Sequence, residues 1–238
     1  VAVGGALSPG LHILHGSPGS GKTAFALQIA SSCTCPALFV TTEMTALELL
    51  RRHIARVTGT YLHRLKSGEL TPDAVLTLAR RAVSTAPELA LLDATAAPAK
   101  PADLLSGAEV SRRDGHFLMV VDSLHTWADG FGAGFDEYDR LNFALTELRT
   151  MAKRLDCPVL VIAERNRSAM RGGGQSAGAG TRKIEYGAET IIELDADDKP
   201  SGSEVVRVKL TLSKNRNGAC SSVALDFEGR VQRFTEGR

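Results

Sequence analysis

One octapeptide near the start restricts the possible folds more than anything else in the chain: Gly16-Ser17-Pro18-Gly19-Ser20-Gly21-Lys22-Thr23. It fits the spacing G-x-x-x-x-G-K-[ST], a phosphate-cradling loop that needs a strand before it and a helix after it. Both flanks comply. Leu11-His12-Ile13-Leu14 reads as a short buried strand, and Ala24 to Ala30 as the apolar start of a helix. The glycines let backbone N–H groups turn inward with no Cβ in the way. The helix adds the partial positive charge of its N-terminus. Lys22 is spaced to reach β- and γ-phosphates, and the Thr23 hydroxyl to ligate Mg²⁺.

The rest of the chain supplies the sheet this loop requires. Strand and helix patterns alternate, which predicts a mostly parallel α/β sheet. Strands are expected at 37–42, 89–93, 117–122 and 158–163, and helices at 46–58, 72–84, 102–113 and 137–155. In the helix from Ala46 to Thr58, Leu49, Leu50, Ile54 and Val57 repeat at helical spacing, with Arg51, Arg52 and Arg56 mostly on the other side. Thr71 caps the next helix and Pro72 opens it. Asp129 to Phe135 is glycine-rich and reads as a flexible loop. From Glu189 onward the pattern changes to short strands (190–194, 205–213, 221–227, 231–234), a β-rich end built of antiparallel hairpins. No internal repeat appears. The 238 residues form one domain with ample length for a core. The chain begins at Val1, so it is expected to be part of a longer protein or a processed form. No apolar run approaches a membrane span, and a net charge of +1 leaves any nucleic-acid contact to local basic clusters.

Four further groups carry candidate chemistry. Asp122 ends the most apolar strand, where the carboxyl edge of a parallel sheet forms its ligand crevice; a carboxylate there suits the second contact of Mg²⁺, made through water. Glu43 follows the second strand on the same edge and suits a base that polarises water in line with the γ-phosphate; a solvated loop glutamate is equally compatible with the spacing alone. Glu164 closes the strand before it as a third polar group on that edge, placed to sense the γ-phosphate. Lys214-Asn215-Arg216-Asn217-Gly218 ends a strand and opens a turn. Lys214 and Arg216, two apart on an extended chain, share a side and suit an arginine finger for a neighbouring subunit; an ordinary basic hairpin turn, signalled by Asn217-Gly218, explains the local sequence as well. Finally, Arg165, Arg167, Arg171, Arg182 and Lys183 flank a tract of five glycines, a mobile basic loop suited to sequence-independent phosphate contact with a single nucleic-acid strand; a disordered surface loop is the alternative.

The remaining isolated residues read as structural. Trp127 and Phe131 suit packing or an interface, and His12 and His15 suit satisfied core-edge histidines. Cys33, Cys35, Cys157 and Cys220 read as free, buried or partly buried thiols of a reducing cytosol; the Cys33/Cys35 pair lacks a partner pair for zinc.

Taken in order, these motifs resemble the C-terminal RecA-like ATPase domain of DnaB-type replicative helicases, from about Gly10 to Phe234. Thr42-Glu43-Met44-Thr45 resembles the family's S-L-E-M-S, whose glutamate is the catalytic base. Leu65-Lys66-Ser67-Gly68-Glu69-Leu70 resembles its I-x-x-G-x-L segment, and Met119 to Leu124 its Walker B strand. Glu164-Arg165-Asn166-Arg167-Ser168 resembles its Q-L-N-R-S. Lys214 to Gly218 resembles its K-Q-R-N-G, and Phe227-Glu228-Gly229 through Arg233-Phe234 its F-x-G…R-F ending. The resemblance implies an ATP hydrolase that uses Mg²⁺, translocates on single-stranded DNA in the cytoplasm and forms a ring, a hexamer, in which Lys214 and Arg216 reach the adjoining subunit's nucleotide. Glu164 stands where the family has glutamine; an acid facing the γ-phosphate repels it unless protonated or paired, for instance with Arg165. The family's N-terminal domain is not in this sequence.

A second resemblance competes. Leu7 to Leu14 flows into the loop as in RadA-like recombination ATPases, and Asp122-Ser123-Leu124-His125-Thr126 and Lys214-Asn215-Arg216 resemble their D-S-I-Q-T and K-N-R-F-G. A regulatory ATP-binding switch that folds like these motors without translocating is a further alternative, favoured by Glu164 and the near-neutral charge. Any of them implies the same α/β, RecA-like fold.

Overall fold

A computed structural model describes residues 7–113, 115–132, 134, 136–164, 187–197 and 204–237. In chain order its elements are β1 (Gly10–Gly16), α1 (Lys22–Ser32), β2 (Ala37–Thr41), α2 (Ala46–Thr58), a single 3₁₀ turn (Leu62–Leu65), α3 (Pro72–Ser84), β3 (Leu89–Asp93), α4 (Pro101–Ser111), β4 (Leu118–Asp122), α5 (Leu124–Asp129), α6 (Glu137–Leu155), β5 (Pro158–Glu164), β6 (Thr190–Ala196), β7 (Val205–Asn215), β8 (Ser222–Glu228) and β9 (Arg233–Glu236).

The described strands form one sheet in the order β3-β2-β4-β5-β1-β6-β7-β8-β9. The first six in that order run parallel, and β7, β8 and β9 continue it as antiparallel neighbours. The parallel strands are near-continuous apolar runs because both of their faces are covered. Alternation then sorts each strand between two cores. Ile13, Val40, Met119, Val121, Val159 and Val161 pack beneath α4, α5 and α6. Leu14, Phe39, Leu118, Val120, Leu160 and Ile162 pack with α1 and the antiparallel strands on the other face. Each fully buried side chain of this kind contributes about 1.5–3 kcal/mol. A third, smaller cluster joins Ile54 and Ala55 of α2 to Ala82 of α3 and Leu65.

Local signals set the boundaries. Thr45, Thr71 and Asp136 cap α2, α3 and α6 by accepting from the backbone N–H groups of Glu48, Ala74 and Asp139. Asp156, in the left-handed region, ends α6. Three differences from the sequence expectations have physical reasons. Helix α5 is only six residues, and Leu124, Trp127 and Ala128 give a single i, i+3, i+4 set, too short for a periodic signal. The last strand starts at Arg233 rather than Val231, because Gln232 takes φ 57 in a turn and breaks the alternation that buried Val231 mimics. Strand β7 runs on to Asn215, past a bulge at Ile191/Ile192, so Lys214 lies within the strand and Arg216 just beyond it. The basic loop from Arg165 to Lys183 lies outside the described residues, as do Asp114 at the expected end of α4 and parts of the segment Asp129 to Phe135.

Because β1, β2, β4 and β5 are parallel neighbours, their carboxyl ends lie along one edge. Gly16, Thr41, Asp122 and Glu164 all sit there: Thr41 pairs with Asp122, and Gly16 with Glu164.

Candidate functional site: the loop and the strand tips around it

The loop from Gly16 to Thr23 leaves the end of β1 and turns directly into α1. Gly21 is the pivot. It holds φ 87 at the helix N-cap, and a Cβ there would meet Phe234 Cζ at 2.9 Å. Gly16 is equally confined, since a Cβ would lie 2.6 Å from both the Leu194 carbonyl oxygen and Ser20 Oγ. Phe234 stacks on Phe227 with ring centroids 4.3 Å apart and meets Phe25 of α1 edge-on at 5.3 Å. The Gln28 side chain brackets the Phe234 backbone, donating to its carbonyl and accepting from its amide, both at 2.9 Å. The β-rich end of the chain is thus the seat of the loop.

Lys22 curls over the loop, its Nζ donating to Gly16 O at 2.9 Å and Ser17 O at 3.1 Å. Burial lowers its pKa, and the carboxylates of Glu164, Asp122 and Glu43 push back. Thr23 Oγ1 donates to Asp122 Oδ2 at 2.7 Å. Asp122 is 2% exposed, and its pKa is raised to about 6, chiefly by desolvation and further by Glu43, against the Thr23 hydrogen bond and the charges of Lys22 and Arg52. A buried carboxylate in contact with a hydroxyl, with further acids nearby, is an environment that a small divalent cation would relieve. Thr23 and Asp122 offer the hard oxygen donors that Mg²⁺ takes, with phosphate and water completing its shell. Glu43 stands two residues past β2, and its Oε1 accepts from Ser123 Oγ and, at 3.0 Å, from Thr126 Oγ1. A cavity of about 340 Å³ opens over the loop, with Lys22, Thr23, Glu43, Arg52, Asp122 and Glu164 among its lining.

The predicted site residues therefore divide by place. The loop, Asp122, Glu43 and Glu164 converge on the cavity. Glu164 is exposed and sits across from Gly16 in register, where it shares the field of Lys22; its suggested partner Arg165 lies outside the described residues. So do Arg167, Arg171, Arg182 and Lys183. Lys214 and Arg216 are elsewhere. Strand β6 runs parallel to β1, and β7 returns against it, so Lys214 pairs with Ile191 and Asn215 with Thr190, which themselves pair with Ile13 and His12 in the middle and first half of β1. Gly16, where the loop starts, lies four residues beyond His12 along β1, a rise of roughly 13 Å. Arg216 Nη1 meets Glu189 Oε1 at 3.2 Å, and its backbone N–H donates to Glu189 O at 2.9 Å. The Asn215 side chain donates to Ala219 O, which closes a longer turn than the two-residue Asn217-Gly218 hairpin.

The helical spacing puts Arg52 on the outer face of α2. It is half-buried instead, lines the cavity and donates to Gln232 Oε1. Burial lowers its pKa, opposed by Glu48 and Asp122. Arg56 likewise turns inward and donates to Ser31 Oγ at 2.8 Å. Arg56 thus looks toward α1 and Arg52 toward the site, while Glu48 of the same helix stays at the surface, paired with Lys66. The one sequence cue for Arg52 is its place on a helix that starts three residues after Glu43. Trp127 is packing, 1% exposed with its indole N–H on Ala99 O at 2.8 Å, and Phe131 meets it edge-on. His12 is satisfied by Thr190 Oγ1 and Ser8 O, and burial lowers its pKa. Cys157 is buried, Cys33 and Cys35 are partly so, and Cys220 is exposed, contrary to expectation, because it lies in the β7–β8 turn. A more open cleft of about 620 Å³, between the ends of α4 and α6, is lined by Arg112, Arg113, Arg154 and Glu109. Arg154 pairs there with Glu109, and Arg113 with Glu88; exposed pairs of this kind contribute little.

A glycine loop between the central strand and its helix, with acids from the neighbouring parallel strands beside it, defines a P-loop protein of RecA-like architecture. More particularly, the chain belongs to the family described as the DnaB-like helicase C terminal domain, which it matches over residues 2–236. The replicative DNA helicase DnaB of Treponema pallidum (strain Nichols) is 24% identical over 245 residues, which take in 97% of this chain and 52% of that protein. The same-named protein of Geobacillus stearothermophilus is 26% identical over 249 residues, 94% of this chain and 52% of that protein. The chain spans about half the length of these curated relatives. Among solved structures, one described as an ATPase domain aligns with a TM-score of 0.79 at 18% identity, covering 97% of this chain and 85% of that one. A DnaB-like replicative helicase studied for its interactions with primase aligns with a TM-score of 0.80 at 20% identity, covering 97% and 59%. Of the two resemblances in the sequence, the family match favours the DnaB type over the RadA type. No helix among the described residues is long and apolar enough to cross a membrane.

Proposed function

We propose that this chain is the ATPase motor of a replicative-type DNA helicase, hydrolysing ATP with Mg²⁺ and moving on single-stranded DNA within a ring of six like subunits in the cytoplasm. The observation that carries this reading is the 2.7 Å contact between Thr23 and Asp122, with Glu43 beside it on the same sheet edge. Membership of the DnaB-like C-terminal domain family supports it.

The loop amides and Lys22 hold the phosphates. Lys22 exchanges its two loop carbonyls for phosphate oxygens, and its three acidic neighbours keep it cationic for that task. Thr23 and Asp122 place Mg²⁺, which when bound draws charge from the phosphate oxygens. Glu43 accepts a proton from water in line with the γ-phosphate. Arg52 faces the same cavity and adds positive charge near the leaving phosphoryl group. Glu164, in the family's glutamine position, lies in the field of Lys22, which offsets its repulsion of the γ-phosphate. Lys214, near the end of β7, and Arg216, just beyond it, act on the nucleotide of the adjoining subunit. Arg165, Arg167, Arg171, Arg182 and Lys183 contact the DNA backbone.

The test is the ATPase rate with and without single-stranded DNA, for the parent and for Glu43→Gln. The expected outcome is DNA-stimulated turnover that Glu43→Gln abolishes while nucleotide still binds. A rate indifferent to DNA would point instead to a non-translocating ATP-binding switch.

A further inference from the structure

Glu43 is tethered. Both hydroxyls that bond its Oε1 come from the segment just beyond β4: Ser123, the residue after Asp122, and Thr126, three residues on in the first turn of α5. The two hydroxyls are 3.2 Å from each other. Residues three apart on a helix lie on one face, so the start of α5 presents them side by side as a two-point clip.

The clip is itself fixed from behind. The Ser123 backbone N–H donates to Thr42 Oγ1 at 2.9 Å. Thr42 in turn donates to Asp122 O, from its N–H at 2.7 Å and from its hydroxyl at 2.9 Å. At the other end of Asp122, the carboxylate takes the Thr23 hydroxyl. One connected set of hydrogen bonds therefore runs from Thr23 through Asp122, Thr42 and Ser123 to the Glu43 carboxylate. It joins the tips of β2 and β4 to the phosphate loop.

We propose that Ser123 and Thr126 are positioning residues for Glu43, holding Oε1 so that Oε2 faces the attacking water. The inference rests on the reading of Glu43 as the base. A glutamate has three side-chain torsions, and an untethered one samples many rotamers. Water activation requires the carboxylate within hydrogen-bond reach of one site, and a misplacement of about 1 Å costs on the order of 10²-fold in rate. Thr126 is exposed, so core packing does not account for its hydroxyl being turned onto the carboxylate. Ser123 is buried at 2% exposure and ties the clip to the Asp122 backbone rather than to solvent. The clip thus sets the distance between the base and the Thr23–Asp122 pair.

The experiment compares Thr126→Val, Thr126→Ser, Ser123→Ala and the double variant Ser123→Ala/Thr126→Val in the full-length protein. Steady-state ATP hydrolysis is measured with Mg²⁺ and saturating single-stranded DNA. Thr126→Val should lower kcat about fivefold to tenfold, and the double variant about 10²-fold, with the KM for ATP within about twofold of the parent. Thr126→Ser, which restores the hydroxyl, should return kcat to within about twofold of the parent. Should Ser123→Ala not fold, the exposed Thr126 pair carries the test alone. A loss confined to KM, an unchanged kcat in Thr126→Val, or failure of Thr126→Ser to rescue overturns the clip. Glu43→Gln run alongside separates the two levels: if it is inactive while the clip variants are unaffected, only the clip is wrong. If Glu43→Gln retains turnover, the base assignment falls with it.

Discussion

The two edges of the sheet carry charged groups of opposite design. At the loop edge, Lys22, Asp122 and Arg52 are partly or wholly buried and displaced in pKa, and Asp122 and Glu43 are held by the hydroxyls of Thr23, Ser123 and Thr126. At the far edge, Arg216 is about half exposed and meets Glu189 in a pair open to water, of the kind that contributes under about 1 kcal/mol. The first arrangement positions groups within the molecule. The second is an ion pair near the surface just past the end of a strand, the kind of placement that the proposed reach to another subunit's phosphate would use. Under the proposed function the contrast is coherent: the loop edge would hold one nucleotide, and Arg216 would reach for the next subunit's.

The strongest way to break this contrast is to remove one cation from each edge. Lys22→Ala should abolish ATP turnover while leaving the thermal unfolding midpoint of the free protein within a few degrees; unchanged phosphate release would take the loop out of the mechanism. Arg216→Ala should lower turnover by about 10³-fold, the scale of an arginine finger. Mixing the two dead variants sharpens the point, since a hybrid ring contains intact sites facing intact Arg216. Partial recovery of phosphate release is expected on mixing, and none if Arg216 acts within its own subunit.

A smaller effect concerns Asp122. Its pKa of about 6 in the fold lies above the ordinary carboxylate value of 3.8. The metal-free fold therefore favours the protonated form, and stability is lost as pH rises from about 4 through 6, then is flat. Two pKa units correspond to about 3 kcal/mol at most. Urea unfolding of the parent in chelator should show the loss between pH 4 and 7, and Asp122→Asn should lack it; parallel curves would reject the shift. Mg²⁺ needs the ionised carboxylate, so Mg²⁺–nucleotide affinity should fall by up to tenfold per pH unit below about 6, read by nucleotide titration. The smallest effect tests the seat of the loop. Phe234→Leu removes the stack on Phe227 and should cost about 1 kcal/mol in urea unfolding, with a weaker nucleotide affinity if the loop loosens.

Sequence reading recovers elements wherever a period persists. Ala46–Thr58, Leu89–Asp93 and Glu137–Leu155 stand where the pattern places them. It recovers Glu43, Asp122 and Glu164 as one edge because each ends or follows an apolar strand, and parallel strands bring such residues together without further information. It does not recover Arg52, since an arginine opposite the leucines of a helix reads as solvated until the neighbours of that helix are known. Ser123 and Thr126 belong to a helix too short to announce itself. Glu189 is invisible as a partner of Arg216 because β6 and β7, not adjacency in the chain, bring them together.

The bond between Gln28 and the Phe234 backbone spans 206 positions. The cradle that opens the chain is therefore finished by a strand translated long after it. A ribosome-bound fragment displaying the whole octapeptide would still lack its aromatic floor, so competence to take up nucleotide should emerge late in synthesis rather than with the motif itself.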